Sequence, residues 1–418
     1  MNTNYSEKIG VKNFILGIQH LLAMFGATVL VPMLTGLDIS VALFSSGVGT
    51  LIFHCCTKFK VPVFLGSSFA FIPPIVAVIA KYGSVQYAQG GIMVAGLIYV
   101  IFSLLVNKIG VKRIRKLLPG QVVGPMIIVI GLNLVPVAFD HCKTNFLIAF
   151  ITLGSALCIS KFAKGFIKQL NIILAIFIGY LLTLLIDNSL IVTKDIAEAA
   201  WFSIPSFTLP KFDVGAIMMI APIVIAVFME HIGDITTNGQ VVGKDFIKDP
   251  GLNRTLLGDG LATIFASLIG GPANTTYGEN TGVLAMTKNY NPRNLEIAAA
   301  FAILLSFIGK VSGFLGSIPE PVMGGISLML YCMISLIGVK TIKLEKVKFN
   351  WKNIITMLVI LFIGLYATYL QKYLGFNLEI KITEDIPFGG LSLAAVVGIL
   401  VNLLLNKFLP WLTAKFSN

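Results

Sequence analysis

The chain has 418 residues, of which 56% are hydrophobic and 12% charged, and a formal net charge of +12; an average soluble domain carries about a quarter charged residues. That balance excludes an ordinary soluble protein. Because the basic residues fall in short connections between apolar runs, the charge bears on membrane orientation and does not point to nucleic acid.

Apolar runs of roughly 20 residues, enough to cross about 30 Å of hydrocarbon as a helix, recur along the chain and leave no room for a soluble domain. The first, Phe14 to Pro32, has no small-residue cleavage site behind a short apolar core and reads as a retained span, not a signal peptide. Fourteen spans are expected, at 13–33, 39–57, 62–80, 88–106, 119–139, 144–161, 169–187, 214–233, 255–270, 273–287, 294–314, 321–339, 353–371 and 388–406. The longest polar connection, Asp187 to Asp213, divides them into two sets of seven, 1–190 and 191–418. An odd number per half inverts the topology of the second set. Cys55, Cys56, Cys158 and Cys332 lie within apolar runs and Cys142 outside them, without metal-ligand spacing, so all five read as reduced thiols.

The basic residues test the span count. Loops after even-numbered spans hold Lys58, Lys60, Lys108, Lys112, Arg113, Arg115, Lys116 and the clusters 161–168, 244–254, 288–293 and 340–352. With Lys8, Lys12, Lys407 and Lys415 on the tails, that side has twenty-four of the 31 basic residues. The other side has six: Lys81, Lys143, Lys194, Lys211, Lys372 and Lys381. The positive-inside rule therefore places both termini in the cytoplasm, with the protein multi-pass in the cytoplasmic (inner) membrane.

The third span of each half is anomalous. Val61 to Pro74 carries Gly66, Ser67, Ser68, Pro73 and Pro74, and Gly270 to Gly282 carries Pro272 and, between its glycine ends, Gly271 and Gly278. Such segments break helical hydrogen bonds and survive at membrane depth only when buried in protein or lining a polar cavity. Interrupted spans at corresponding positions of two halves point to a transporter binding site near the midplane.

Acids sit at the same places. Glu230 and Asp234 are four apart on the eighth span and share a helix face, and Glu279 lies in the second broken segment. A buried carboxyl is costly unless paired or protonated, and two neighbouring carboxylates cannot both ionise cheaply, so the pair invites a proton. Asp234 is expected near enough to a cytoplasmic helix end to be partly hydrated. His231, about 100° around the helix from Glu230, and His20 read as packing and hydrogen-bonding histidines. Asp259 and Lys310 are expected to pair between helices.

At these residues the chain resembles the uracil permeases of the nucleobase/ascorbate transporter family, over nearly its whole length. Gln19 to Pro32, Leu65 to Ile72, Glu230 to Gly233 and Asn274 to Val283 carry the densest likeness, and Glu279-Asn-Thr-Gly-Val-Leu-Ala-Met-Thr287-Lys288 matches the family signature. Glu at its first position resembles the pyrimidine carriers, where urate and xanthine members have Gln. The resemblance implies an all-α fold of fourteen transmembrane segments in a seven-plus-seven inverted repeat, with short antiparallel β-strands in segments 3 and 10. It also implies a core of spans 1–4 and 8–11, a gate of spans 5–7 and 12–14, and a homodimer in membrane lipid.

By the same resemblance, Glu230 and Glu279 hydrogen-bond uracil, backbone N–H groups of Phe69 and Gly278 bind its carbonyls, and Ala27 and Tyr277 line the pocket. Glu230 and Asp234 then couple transport to a proton, although Asp234 stands where the family pattern has His. The implied activity is inward uracil:proton symport by alternating access, with no cofactor. The alternatives are a xanthine/urate-type purine permease or an anion transporter of similar fold. A membrane-embedded enzyme lacks support, since no HExxH or GxSxG motif is present, and single acids in paired breaks suit a closed site better than a channel's ring of ligands.

Overall fold

A computed structural model describes residues 10–110, 113, 119–376, 378–383 and 386–408. Lys8, Lys112, Arg115, Lys116 and Lys415, used above for orientation, lie outside the described residues.

The apolar runs are helices because a bilayer offers backbone N–H and C=O groups no partner but each other. In chain order they are α1 (Val11–Thr35), α2 (Ile39–Cys56), α3 (Phe69–Tyr82), α4 (Val85–Ile109), α5 (Gly120–Cys142), α6 (Phe146–Phe162) and α7 (Asn171–Ile186). After the central connection come α8 (Val214–Val242), α9 (Leu252–Leu268), α10 (Gly278–Thr287), α11 (Arg293–Ser306), α12 (Gly309–Gly316), α13 (Glu320–Leu344), α14 (Trp351–Leu374) and α15 (Gly390–Leu403). Seven of these, α1, α2, α4, α5, α8, α13 and α14, are long and apolar enough to cross a membrane unaided, and α11 and α12 form a further pair bent by 80°. Large apolar side chains such as Phe150, Leu185, Leu358 and Leu400 point outward, as a lipid-facing surface requires. The chain is a multi-pass, all-α membrane protein.

Close helix approach rests on small residues, since lipid gives helices no hydrophobic reason to associate. Gly124 of α5 and Gly338 of α13 face each other so closely that a Cβ on either meets the other's carbonyl oxygen. Further packing joins α2 to α9 and α11, α4 to α9, α1 to α11, α6 to α13, and α14 to α15.

Both broken segments are part strand and part helix. β1 (Leu65–Ser67) leads into α3 and β2 (Asn274–Thr276) leads into α10. The strands pair antiparallel, with Leu65 opposite Thr276 and Ser67 opposite Asn274. Beyond the ladder, Ser68 N–H donates to Ala273 O at 2.8 Å and Tyr277 N–H to Phe64 O at 3.0 Å. Backbone groups freed by glycine and proline thus find partners across the pair, which is what allows non-helical chain here. A second antiparallel pair, β3 (Glu379–Thr383) and β4 (Ile386–Gly389), precedes α15.

Lys310 pairs between helices as expected, with backbone carbonyls: its Nζ donates to Ile196 O at 2.7 Å and Ala197 O at 3.2 Å, in the short helix Thr193–Glu198. A cation there satisfies carbonyls that the helix leaves open. Asp234 is not near a helix end, because α8 continues eight residues further, to Val242.

Candidate functional site

Each strand ends where a helix begins, and the first N–H groups of a helix have no intrahelical acceptor. Phe69 opens α3 behind Ser68, and Gly278 opens α10 behind Tyr277. Both positions line one cavity of about 360 Å³, which Glu230, Asp234 and Glu279 also line. These three acids, Phe69 and Gly278 are all partly exposed although they lie deep in the chain's fold, because the surface they meet is the cavity's own. The carboxylates and the two helix N-termini therefore address the same space, acceptors beside donors.

The positions are fixed from behind. Glu230 and Asp234 occupy one face of α8, and Asp234 Oδ2 accepts from Thr276 Oγ1 of β2 at 2.9 Å. On another face His231 is fully buried, with Nδ1 2.7 Å from Asp259 Oδ2 and Nε2 2.9 Å from Thr255 Oγ1, both on α9. Asp259 thus pairs between helices, with a histidine. Tyr277 lines the cavity and its hydroxyl donates to Ser67 O at 2.8 Å, so its ring lies flat along β1. Gly66 is required there: a Cβ would strike that ring. Ala27 is fully buried, packed with Tyr277 and Met24, and is not on the cavity wall.

The signature residues divide their tasks. Glu279 faces the cavity, while Asn280 Nδ2 donates to His20 O at 2.9 Å and stands 3.2 Å from His20 Nδ1, tying α10 to α1. Gly282 lies against the Gln169 amide, which a Cβ would meet at 2.7 Å. Gln169 also lines the cavity, with Lys168, which is exposed, and Asn171. Sequence reading did not single these out. The available signal was polar side chains opening an otherwise apolar seventh span. No cluster of three or more metal-ligating side chains occurs among the described residues.

The "Permease family" model (Xan_ur_permease) matches residues 11–373. The chain belongs to this permease family. The permease is 42% identical over 407 residues, 95% of each chain, to the "Probable uracil permease" of Haemophilus influenzae. It is 41% identical to the uracil permease of Bacillus caldolyticus, over 93% of this chain and 91% of that one. It is 36% identical to that of Escherichia coli K12, over 93% and 90%. Among solved structures, the transmembrane domain of a cyanobacterium bicarbonate transporter, BicA, superposes with a TM-score of 0.63 at 16% identity, covering 95% of the permease and 99% of that chain. The murine Slc26a9 anion transporter in its inward-facing state gives 0.69 at 10% identity, covering 97% and 69%. The permease shares their fold, and it is a transporter, not an enzyme.

Proposed function

We propose that the permease carries uracil inward across the cytoplasmic membrane together with a proton, by alternating access. The observation that carries this is the convergence of Glu230, Asp234 and Glu279 with the helix-opening N–H groups of Phe69 and Gly278 on one cavity. Uracil has two N–H donors and two carbonyl acceptors on a flat ring. Carboxylates at Glu230 and Glu279 accept from the first, backbone amides donate to the second, and Tyr277, backed by Ala27, supplies an apolar flank. An analogue lacking one group leaves a buried polar atom unpaired at about 1–3 kcal/mol.

Neutral uracil cannot compensate two buried carboxylates, so loading favours protonation of one of them and links substrate to proton. Glu230, paired on its helix face with Asp234, is the carrier, and Glu279 is mainly a substrate ligand. The relatives named uracil permeases, at 36–42% identity, support the substrate. Glu279 at the signature's first position argues against a purine carrier. The anion reading has little to use: the basic residue on the cavity wall, Lys168, is exposed at its rim.

The accompanying architecture is fourteen spans in an inverted repeat of 1–190 and 191–418, with α1–α4 and α8–α12 as core and α5–α7 and α13–α15 as gate. Both termini are cytoplasmic, and the protein is a homodimer. The reciprocal bonds beyond the strand ladder, each from the residue after one strand to the residue before the other, support the repeat.

The test is uptake of labelled uracil into proteoliposomes, with xanthine and sulfate as competitors. Accumulation driven by an inward proton gradient and blocked by neither is the expected result, and absence of uracil uptake, or strong competition by xanthine, would overturn the substrate. A Glu230→Gln variant that still concentrates uracil with a normal pH profile would remove Glu230 as the proton carrier.

A further inference from the structure

The end of the central connection, residues 201–213, runs without helix or strand across the ends of α11, α9 and α4 and is fastened at three points. Ser203 N–H donates to Phe307 O at 2.9 Å, at the break between α11 and α12. Thr208 N–H donates to Ile269 O at 3.2 Å, just past α9, and Lys211 N–H to Gln86 O at 2.9 Å, in the first turn of α4. Gln89 Nε2 adds a bond to Thr208 Oγ1 at 2.8 Å. A glycine admits the strap at each point: a Cβ on Gly309 would strike Ser203 Oγ, on Gly270 Thr208 Oγ1, and on Gly90 Lys211 O. The side turned to the protein is therefore Ser203, Pro205, Thr208 and Pro210, buried or half-buried. The side turned away is Trp201, Phe202, Ile204, Leu209 and Phe212, at 58% to 78% exposure.

A strap in water would sort its side chains the other way, apolar in and polar out, and a contiguous exposed apolar patch marks a surface with a partner. Its position says which. The ends it crosses belong to helices whose far ends carry Lys108 on α4 and Arg254 on α9, so it lies at the boundary of the membrane face opposite those cations. It also reaches below that boundary. Phe207 packs edge-on against Phe44, with ring centroids 5.4 Å apart, and Phe44 is five residues into α2, about 7 Å from its start at the helical rise. Phe44 in turn meets Phe307 at 5.9 Å, and Phe202 stacks on Phe307 at 5.8 Å and 9°. The patch continues into exposed Leu268 and Leu304, beside the strap's fastening points at Ile269 and Phe307. We propose that residues 201–212 are an interfacial lipid anchor, with Trp201, Phe202, Ile204, Leu209 and Phe212 bedded in the headgroup and upper acyl region of that leaflet. Aromatic rings are suited to this level because they are apolar in body and tolerate a wet edge. Pro205 and Pro210 bring no N–H that would need a partner there, and exposed Lys211 can lay its stem in the apolar layer and keep its ammonium among the phosphates. The anchor is independent of what the permease carries.

Tryptophan fluorescence tests it. The chain has three tryptophans, so Trp351→Phe with Trp411→Phe leaves Trp201 alone. This variant is placed in nanodiscs of phosphatidylcholine brominated either near the headgroup or near the end of the acyl chain, with iodide as the aqueous quencher reaching both faces. Shallow bromine is expected to lower Trp201 emission by about half, as an interfacial indole requires, with deep bromine less effective and iodide nearly without effect. Strong quenching by iodide with none by either bromolipid puts the strap in water and overturns the proposal. Protection from all three quenchers overturns it too, by placing Trp201 under protein such as a second copy of the chain. Should the double variant fail to fold, the parent and Trp201→Phe are compared in the same nanodiscs, and the difference in their emission is Trp201's own. That difference is expected to shrink in shallow bromolipid, and a difference that bromolipid leaves unchanged overturns the anchor.

Discussion

Thr50 and Thr263 hold the two strands in the same way from opposite sides. Thr50 Oγ1 of α2 accepts from Leu65 N–H at 2.9 Å and gives its own proton to Ser46 O at 2.8 Å, with Leu65 O at 3.4 Å. Thr263 Oγ1 of α9 donates to Asn274 O at 3.0 Å and accepts from Asn274 N–H at 3.3 Å. Leu65 and Asn274 are the first residues of their strands, so one hydroxyl receives the outward N–H of each strand where no third strand exists. One turn beyond Thr50, His54 Nε2 donates to Val63 O at 2.9 Å and extends the clamp. Thr50→Val and Thr263→Val keep the shape and remove the hydroxyl, leaving a buried N–H unpaired at about 1–3 kcal/mol. Both are expected to lower the melting temperature of the detergent-solubilised protein by similar amounts, and an unchanged melting point for either would contradict the clamp.

Gly66→Ala tests the approach of Tyr277 to β1. The added Cβ enters the space of the Tyr277 ring, so the ring must leave its bond to Ser67 and intrude on the cavity. Uracil affinity is expected to fall more than tenfold with smaller loss of stability, measured by binding and thermal unfolding side by side. Equal affinity would mean that Tyr277 does not border the substrate.

The His231–Asp259 pair is buried on both sides, at 0% and 1% exposure. Removing one partner leaves the other unpaired in a medium that cannot solvate it, at about 3–5 kcal/mol. Asp259→Ala is expected to abolish recovery of folded protein, and Asp259→Asn, which keeps an acceptor for the ring, to retain it. Size-exclusion profiles of the two variants distinguish these outcomes, and an Asp259→Ala protein that runs as the parent would show the pair to be dispensable.

Glu279→Gln replaces an acceptor of uracil's N–H by an amide. Hydrogen bonds to charged groups contribute about 1.5–3 kcal/mol, so affinity is expected to fall roughly 10- to 100-fold. Because Glu279 is read as a ligand and Glu230 as the carrier, residual uptake by Glu279→Gln should keep the parent's pH profile, whereas Glu230→Gln should flatten it. The reverse pattern would exchange the two roles.

Outside the membrane, Lys60 Nζ bonds both carboxylate oxygens of Asp249 at 2.7 and 2.8 Å, joining the loop after α2 to the loop after α8. The Lys60 hydrogen bond holds the Asp249 carboxyl below its usual range. Its contribution is therefore present above the ordinary Asp value and is lost as pH falls through the depressed one. Both side chains are exposed, at 46% and 69%, so screening keeps the pair weak. Lys60→Met is expected to leave thermal stability nearly unchanged at neutral pH, and a large loss there would show that the bridge fastens the loops.

What the sequence determined by itself is what depends on solvent and on local chain chemistry. Hydropathy along the chain placed the helices, since a bilayer rewards each apolar run independently of the others. Glycine and proline at 61–74 and 270–282 marked where the helices break, and Glu230, Asp234 and Glu279 stood out because carboxyls at that depth need a reason. Tertiary structure decided the partners. Leu65 meets Thr276 across more than two hundred residues, and no local pattern announces that register. Lys310 found its partners in the carbonyls of Ile196 and Ala197, and Ala27 packed behind Tyr277 instead of bordering the cavity. Gln169 reached Gly282. Each of these depends on how closely distant helices approach, a distance set by small residues on both faces at once, which a single strand of sequence does not display.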